Sequence, residues 1–252
     1  MLIALLTDIH ANREAFDACR AEARRLGAEK FVYLGDLVGY GADPAYIVDR
    51  VAEDFARGAI SLMGNHDLAA VEGPSGGMHD AARAAIEWTS DQLGAAQKAF
   101  LAAMPYTAST VSAAGAETLY VHGEASAPRR FIYVTGSDVA ERSLNATSAH
   151  VTFCGHVHRP QLYHIAPGKP PLAFQITANL PTPLARSRRW LSVLGAVGQP
   201  RDGNPLAAFA LYDDARATLT SVRLAYDIER AAAKILAAGL PRYLAERLYI
   251  GL

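Results

Sequence analysis

Leu2 to Leu6 is a short, wholly apolar run, the pattern of a strand covered on both faces. Beyond it Phe16, Cys19, Ala23 and Leu26 recur at spacings of three and four, with Asn12 placed as the N-cap and Gly27 as the stop, which predicts a helix. Phe31 to Leu34 predicts a second strand. Asp43-Pro44 reads as N-cap plus first helical position of a helix whose buried stripe is Ile47, Val48, Val51, Ala52 and Phe55. Gly58 ends that helix, and Ala59 to Met63 predicts a third strand. This alternation predicts a parallel α/β sheet, and in such sheets ligands bind beyond the carboxyl ends of the strands. Three polar clusters fall at those ends: Asp8 with His10, Asp36 in a glycine-rich turn, and Asn65-His66-Asp67.

Gly73 to Gly77 forms a Gly/Ser-rich joint, followed by helical stretches over Asp80 to Leu93 and Ala95 to Met104, stopped by Pro105. Because this pair interrupts the alternation just after a polar cluster, residues 73–105 are expected to form a helical cap beside the site, with an ordinary packed hairpin as the alternative. From Tyr106 onward short β-type runs dominate, broken by one helix at Ser137 to Asn145. Two further polar clusters, His122-Gly123 and Gly155-His156-Val157-His158, each end an apolar run. The chain closes with a helix capped by Asp227 over Ile228 to Ala238, then another after Pro241. The expected architecture is a second sheet packed on the first and flanked by helices. Since both halves supply polar clusters, residues 1–252 are expected to form a single domain.

Composition narrows the function. Of 252 residues 51% are apolar and 19% charged, as in a soluble globular protein, and the formal net charge of −1 gives no overall field toward nucleic acid or an anionic membrane. Arg186, Arg188 and Arg189 form a basic patch too short to track a nucleic-acid backbone, which disfavours a nuclease. No apolar stretch approaches the roughly 18 residues of a membrane span. Met1 leads directly into the first strand with no basic segment or cleavage site, and two cysteines offer no disulfide framework, so a cytoplasmic location is expected. Cys154 is expected to be a small core residue.

The clusters offer Asp8, His10, Asp36, Asn65, His122, His156 and His158 as metal ligands: two carboxylates, one amide and four imidazoles, without thiolate. That mixed O/N set suits divalent manganese, iron, zinc, cobalt or nickel better than calcium or magnesium. Seven ligands exceed what one ion with an open position needs; shared between two ions with Asp36 as the bridge, they leave room for water and substrate. His79, His150 and His164 lack such company and are expected to be ordinary surface or core residues.

Asp-x-His, Gly-Asp, Gly-Asn-His-Asp, His-Gly and Gly-His-x-His, in this order between Asp8 and His158, resemble the calcineurin-like metallophosphoesterase superfamily. The resemblance implies a four-layer αββα sandwich of two mixed sheets with a dinuclear metal centre, manganese leading. Asp8, His10, Asp36 and His158 would hold one ion, and Asp36, Asn65, His122 and His156 the other, with His66 catalytic rather than a ligand. It further implies that a hydroxide bridging the ions attacks phosphorus while His66 gives a hydrogen bond or proton to the leaving oxygen. Protein Ser/Thr phosphatases of the superfamily carry Gly-Asp-x-Val-Asp-Arg-Gly; here Gly39 and Tyr40 stand at the Asp and Arg positions. The turn instead looks like that of small bacterial phosphoesterases, as does Val197 to Gly203. In that later segment Gln199 and Arg201 would clamp a phosphate or nucleotide, or simply lie on an exposed turn. Asp67 is expected either to support the site from behind or to cap a helix, and Asn12 either to face the pocket or only to cap. The expected substrate is a small phosphodiester, phosphomonoester or nucleotide. Hydrolysis of dinucleoside polyphosphates such as diadenosine tetraphosphate is the alternative, and a metal-free protein-binding scaffold the remote one.

Overall fold

The computed structural model describes residues 1–252. In the first sheet β1 (Leu2–Leu6), β2 (Lys30–Tyr33) and β3 (Ile60–Ser61) run parallel, with α1 (Arg13–Arg25) and α2 (Pro44–Ala56) as crossovers. α3 (Asn65–Glu72), α4 (Asp80–Gln92) and α5 (Ala95–Ala102) follow. The second sheet is built from β4 (Thr107–Val111), β5 (Glu117–Val121), β6 (Val151–Cys154), β7 (Gln161–Ile165), β8 (Leu172–Phe174) and β10 (Arg189–Val193), with α6 (Ser137–Asn145) between β5 and β6. Its order is β4-β5-β6-β10-β7-β8, and β5, β6 and β10 are parallel. β9 (Thr182–Pro183), β11 (Ala207–Asp213) and β12 (Thr218–Leu224) return to the first sheet, which reads β3-β2-β1-β11-β12-β9. α7 (Ile228–Ala237) and α8 (Arg242–Glu246) end the chain.

Alternation along the strands builds the layers. Ile3, Leu5, Val32 and Leu34 face Tyr120, Val151, Phe153 and Trp190 of the second sheet, forming the core between the sheets. The intervening Ala4, Leu6, Phe31 and Tyr33 point outward onto Phe16 and Cys19 of α1 and Ile47, Val48 and Val51 of α2. On the far side Val121, Cys154, Leu191 and Val193 meet Ala140 and Leu144 of α6. The result is the expected αββα sandwich. β1 is apolar throughout because both its faces are covered. Cys154 is fully buried among these apolar residues, and burial pushes its thiol up.

Several local expectations are corrected. The third strand is only Ile60–Ser61, because the Met63 N–H turns to the Pro105 carbonyl (2.9 Å). The helix that Asp67 is offered to cap begins two residues before it, at Asn65; the first turn of α3 is polar and its apolar periodicity weak. Asp43 precedes α2 but makes no capping hydrogen bond, because its carboxylate accepts from Lys234 Nζ (2.8 Å). Within α2, Phe55 is 50% exposed, standing edge-on to Phe100 at 5.8 Å. Asp54 takes the inward position instead, accepting from Arg20 Nη2 (2.7 Å), Arg20 Nε (3.1 Å) and the Tyr33 hydroxyl (2.5 Å). A carboxylate tolerates burial when paired and hydrogen-bonded in this way.

Removing that carboxylate strands the Arg20 charge between α1 and α2. Asp54→Ala is therefore expected to lower the unfolding free energy by about 3 kcal/mol, measured by urea denaturation; a change below about 1 kcal/mol would show that the pair is dispensable.

Candidate metal centre

The parallel strands of both sheets end at one edge, and the chain turns there under constraint. Asp8, His10, Asp36, His156 and His158 all have positive φ, between 48° and 69°, and so do Ala11 and Tyr40. Left-handed backbone is unfavourable for side chains with a Cβ and gathers where a site needs it. Two glycines allow the turns to touch. A Cβ on Gly64 would lie 2.2 Å from the Asp36 backbone nitrogen, and one on Gly155 would lie 2.0 Å from Thr7 Oγ1. The β3 and β6 ends can therefore press onto the Asp36 and Asp8 turns only without side chains.

Within this edge the imidazoles are aimed by backbone carbonyls. His10 Nδ1 lies 3.1 Å from the Val38 carbonyl, His122 Nδ1 2.7 Å from that of Leu34, and His158 Nδ1 2.6 Å from that of Gln199. Each Nδ1–H donates outward, leaving the Nε2 lone pair to face inward, the arrangement metal-binding histidines use. Inside, His10 Nε2 and His158 Nε2 are 3.1 Å apart. Asp36 Oδ2 is 3.3 Å from His122 Nε2 and 3.7 Å from His10 Nε2, while His158 Nε2 is 3.3 Å from Asp8 Oδ1. Two groups of candidate ligands result, Asp8, His10, Asp36 and His158, and Asp36, His122 and His156, with Asp36 common to both. Within each, one ligand atom per residue lies within 4.8 Å of all the others.

Asp36 Oδ1 accepts the His66 N–H (2.8 Å), but Asp36 Oδ2, Asn65 Oδ1, His122 Nε2 and His66 Nδ1 are buried without any hydrogen-bond partner. Such orphaned atoms are costly and need an explanation. With outward Nδ1–H groups, His10 and His158 turn bare Nε2 atoms toward each other, and divalent cations would satisfy these together with Asp36 Oδ2, Asn65 Oδ1 and His122 Nε2. The residues fit such ions.

The charge balance follows from burial and proximity. Burial disfavours ionised Asp36, but His122, His66 and His10 outweigh it and hold the carboxyl well below its usual range. Burial also disfavours ionised Asp8, and His158 outweighs it. Desolvation pulls His66 down to about 4 and His156 to about 3, so both are neutral near pH 7. For His122 desolvation acts the same way, but Asp36 overrides it and raises the ring to about 9.

The remaining candidates divide by what they touch. Asp67 is the third residue of α3, not its N-cap; its Oδ1 accepts from Leu37 N (2.8 Å) and Val38 N (3.2 Å), and its Oδ2 from Gly64 N (3.0 Å). It ties the Asp36 turn to the start of α3 from behind, and burial with the Asp36 charge pushes it up to about 7. Asn12 caps α1 through Oδ1 (Ala15 N, 3.1 Å), while its Nδ2 donates to the Gly198 carbonyl (2.9 Å). It therefore caps the helix and also tethers the loop that carries Gln199. Gln199 is buried rather than on an exposed turn. Its carbonyl aims His158, and its Oε1 accepts from Arg201 Nη2 (2.8 Å). Arg201 reaches back to lie 5.7 Å over the Tyr40 ring.

Two tyrosines join the site that the sequence pattern does not place there. Tyr40 lies 4.4 Å from His66 and 4.6 Å from His10, and Tyr133 stacks on His156 at 3.8 Å with a 13° tilt. Tyr133 sits in an irregular segment after β5, where no periodicity marks it. His79 caps α4, His150 lies near the Ala185 carbonyl and His164 pairs with Arg188, all away from the centre.

A sequence model of the calcineurin-like phosphoesterase superfamily domain matches residues 1–215. An uncharacterised protein of Methanocaldococcus jannaschii is 30% identical over 251 residues, covering 99% of this chain and 98% of its own. Among solved structures, a metallophosphoesterase from Sphaerobacter thermophilus superposes with a TM-score of 0.83 at 31% identity, covering 100% of this chain and 99% of that one. A hypothetical protein from Pyrococcus horikoshii shares the fold, with a TM-score of 0.78 at 19% identity over 100% and 98% of the two chains. The chain belongs to the calcineurin-like phosphoesterase superfamily, and that membership supports a hydrolase acting on phosphoric esters.

The contact at Gly64 gives a test that needs no substrate. Gly64→Ala drives a methyl into Asp36, so thermal unfolding is expected to show a loss of about 2 kcal/mol or more; wild-type stability would mean that the two turns part without cost.

Proposed function

We propose that this member of the superfamily hydrolyses small phosphate esters, whether diesters, monoesters or nucleotides, with two divalent transition-metal ions. Asp8, His10, Asp36 and His158 would hold one, and Asp36, Asn65, His122 and His156 the other. The observation that carries this reading is that Asp36 Oδ2, Asn65 Oδ1 and His122 Nε2, all buried at one point, have no hydrogen-bond partner. Manganese suits the mixed oxygen and imidazole set, with iron, zinc, cobalt and nickel also compatible.

When bound, the ions supply Lewis-acid polarisation and neutralise charge on the phosphoryl oxygens. The chain's own residues do the rest. Asp36, held by the His66 N–H at Oδ1, keeps Oδ2 aimed between the two groups. His66, packed against Tyr40 and the Gly39 backbone, hydrogen-bonds the leaving oxygen through its ring N–H. Asp67 and Asn12 position the turns that carry these groups without touching substrate. Gln199 and Arg201 form the rim, where the guanidinium receives a phosphate.

The same reading takes residues 1–252 as one domain with 73–105 as its cap. Support comes from Ile86 of α4, which closes on Gly39 beside His66. No helix is long and apolar enough to cross a membrane. The unpaired, buried Cys19 and Cys154 suit the reducing cytoplasm.

Protein purified without chelator is expected to carry about two transition-metal ions per chain by elemental analysis and to hydrolyse bis-p-nitrophenyl phosphate or p-nitrophenyl phosphate with added Mn²⁺. Asp36→Asn should lose both metal and activity; unchanged turnover would sink the assignment. In contrast, His66→Gln should retain the metal while kcat falls on the order of 10²- to 10⁴-fold. A metal-free, inert protein would favour the scaffold role instead.

A further inference from the structure

Arg186, Arg188 and Arg189 take no part in the metal centre, and the fold gathers them at the opposite edge of the second sheet. β6 and β10 are parallel, with His150 just before the start of one and Arg189 at the start of the other. β7 runs antiparallel and ends at Ile165, opposite Arg189. The centre lies beyond the other ends of β6 and β10, where His156, His158 and Gln199 follow. At about 3.3 Å per strand residue the two places are roughly 15 Å apart.

A cavity of about 850 Å³ opens at this distal edge, between α6, the turn after β7 and the turn before β10. That size suits a small organic ligand. Its wall carries Lys169, Arg186, Arg188 and Arg189 against a single acid, Glu141, although the whole chain has a net charge of −1. No carboxylate lies within ion-pair distance of these four cations, whereas Arg20, Arg25, Arg50, Arg223 and Arg242 each have one. Arg189 is anchored at the end of α6, donating to the Thr147 carbonyl (2.8 Å) and to Asn145 Oδ1 (3.2 Å). Arg188 Nη1 lies 2.8 Å from His164 Nε2, against an imidazole rather than a counter-charge. On the same wall His150 turns Nε2 to the Ala185 carbonyl (3.4 Å), and its Nδ1 is buried without a partner. A bare imidazole nitrogen of this kind accepts a ligand hydroxyl. A second cavity of about 400 Å³ adjoins the first: Lys169, Pro170 and Arg188 line both, and His164 and the 59% exposed Leu172 complete it.

We propose that this edge is a second ligand site, separate from the metal centre, which binds a small organic polyphosphate. The phosphate chain lies among Lys169, Arg186, Arg188 and Arg189, and the organic group rests against Pro170 and Leu172. Like charges around a concavity reinforce one another's field, and guanidinium forks match phosphate oxygens. A single phosphate meets only part of the cationic wall, so ligands with two or more phosphates are selected. The site requires no turnover, and it stands whether or not the centre hydrolyses phosphate esters.

Calorimetry of the metal-loaded protein with adenosine 5′-(β,γ-imido)triphosphate and with adenosine 5′-monophosphate tests this. The comparison is with the double variant Arg186→Gln, Arg188→Gln, which removes two exposed side chains that no carboxylate holds. Binding at the metal centre is common to both proteins, so the difference between them belongs to the cavity. The double variant is expected to lose about tenfold or more in affinity for the triphosphate, as the loss of one or more charge-assisted contacts gives. It should lose little for the monophosphate, and it should keep the wild-type metal content and turnover of bis-p-nitrophenyl phosphate. Coincident triphosphate titrations, or equal losses for the two nucleotides, overturn the site. A fall in turnover of the small diester in step with the lost binding overturns its separation from the centre. Thermal melts establish that the double variant is folded; if it is not, Lys169→Gln on the exposed turn after β7 is measured against the same outcomes.

Discussion

Asp36 is fully buried with one oxygen committed to the His66 N–H and the other left facing the Nε2 atoms of His122 and His10. Leaving a carboxylate oxygen buried and unpaired costs several kcal/mol unless a positive charge compensates. The surrounding structure maintains that situation rather than relieving it. Asp67 takes the N–H groups of Leu37, Val38 and Gly64, so none of them is free to turn toward Asp36 Oδ2. The carbonyls of Val38, Leu34 and Gln199 take the Nδ1–H groups of His10, His122 and His158, so those rings have no outward proton to turn inward. The backbone itself fixes which atoms of these rings face the centre.

That arrangement also explains the backbone strain. Five of the candidate ligands adopt positive φ, and the bare backbones of Gly64 and Gly155 lie against the Asp36 and Asp8 turns. Each feature costs stability locally, on the order of 1 kcal/mol or more. The sandwich supplies the compensation: the fully covered β1 and β2 and the core between the sheets fix the strand ends from which the turns depart.

What was legible in the sequence follows the same division. β1, α1, β2 and α2 could be read because continuous apolar runs and three-to-four spacing reflect burial of their own residues. The polar clusters could be read because parallel strands deliver their carboxyl ends to one edge. The start of α3 could not, since Gly64, Asn65, His66 and Asp67 are chosen for the centre and carry little amphipathic pattern. Phe55 and Asp54 exchanged their expected places because a pairing with Arg20, 34 positions away, outweighs local periodicity. Tyr133 left no trace at all, because its place is set by stacking on His156 and not by any regular element.

Tyr40 shows how position and role can separate. It stands where the protein phosphatases of the superfamily carry an arginine, and a local reading takes the change as the loss of a phosphate contact. In three dimensions the Tyr40 ring instead becomes the floor on which Arg201 rests, 5.7 Å away, and the wall against which Leu244 and Leu248 pack. A guanidinium still lies beside this turn, but it comes from the loop after β10. A charge carried on the Asp36 turn itself would be fixed relative to the centre by one short loop. A charge carried on a separate loop depends on how that loop docks, so sequence change around residues 198–203 can shift it while Asp8, Asp36 and the four histidines stay as they are.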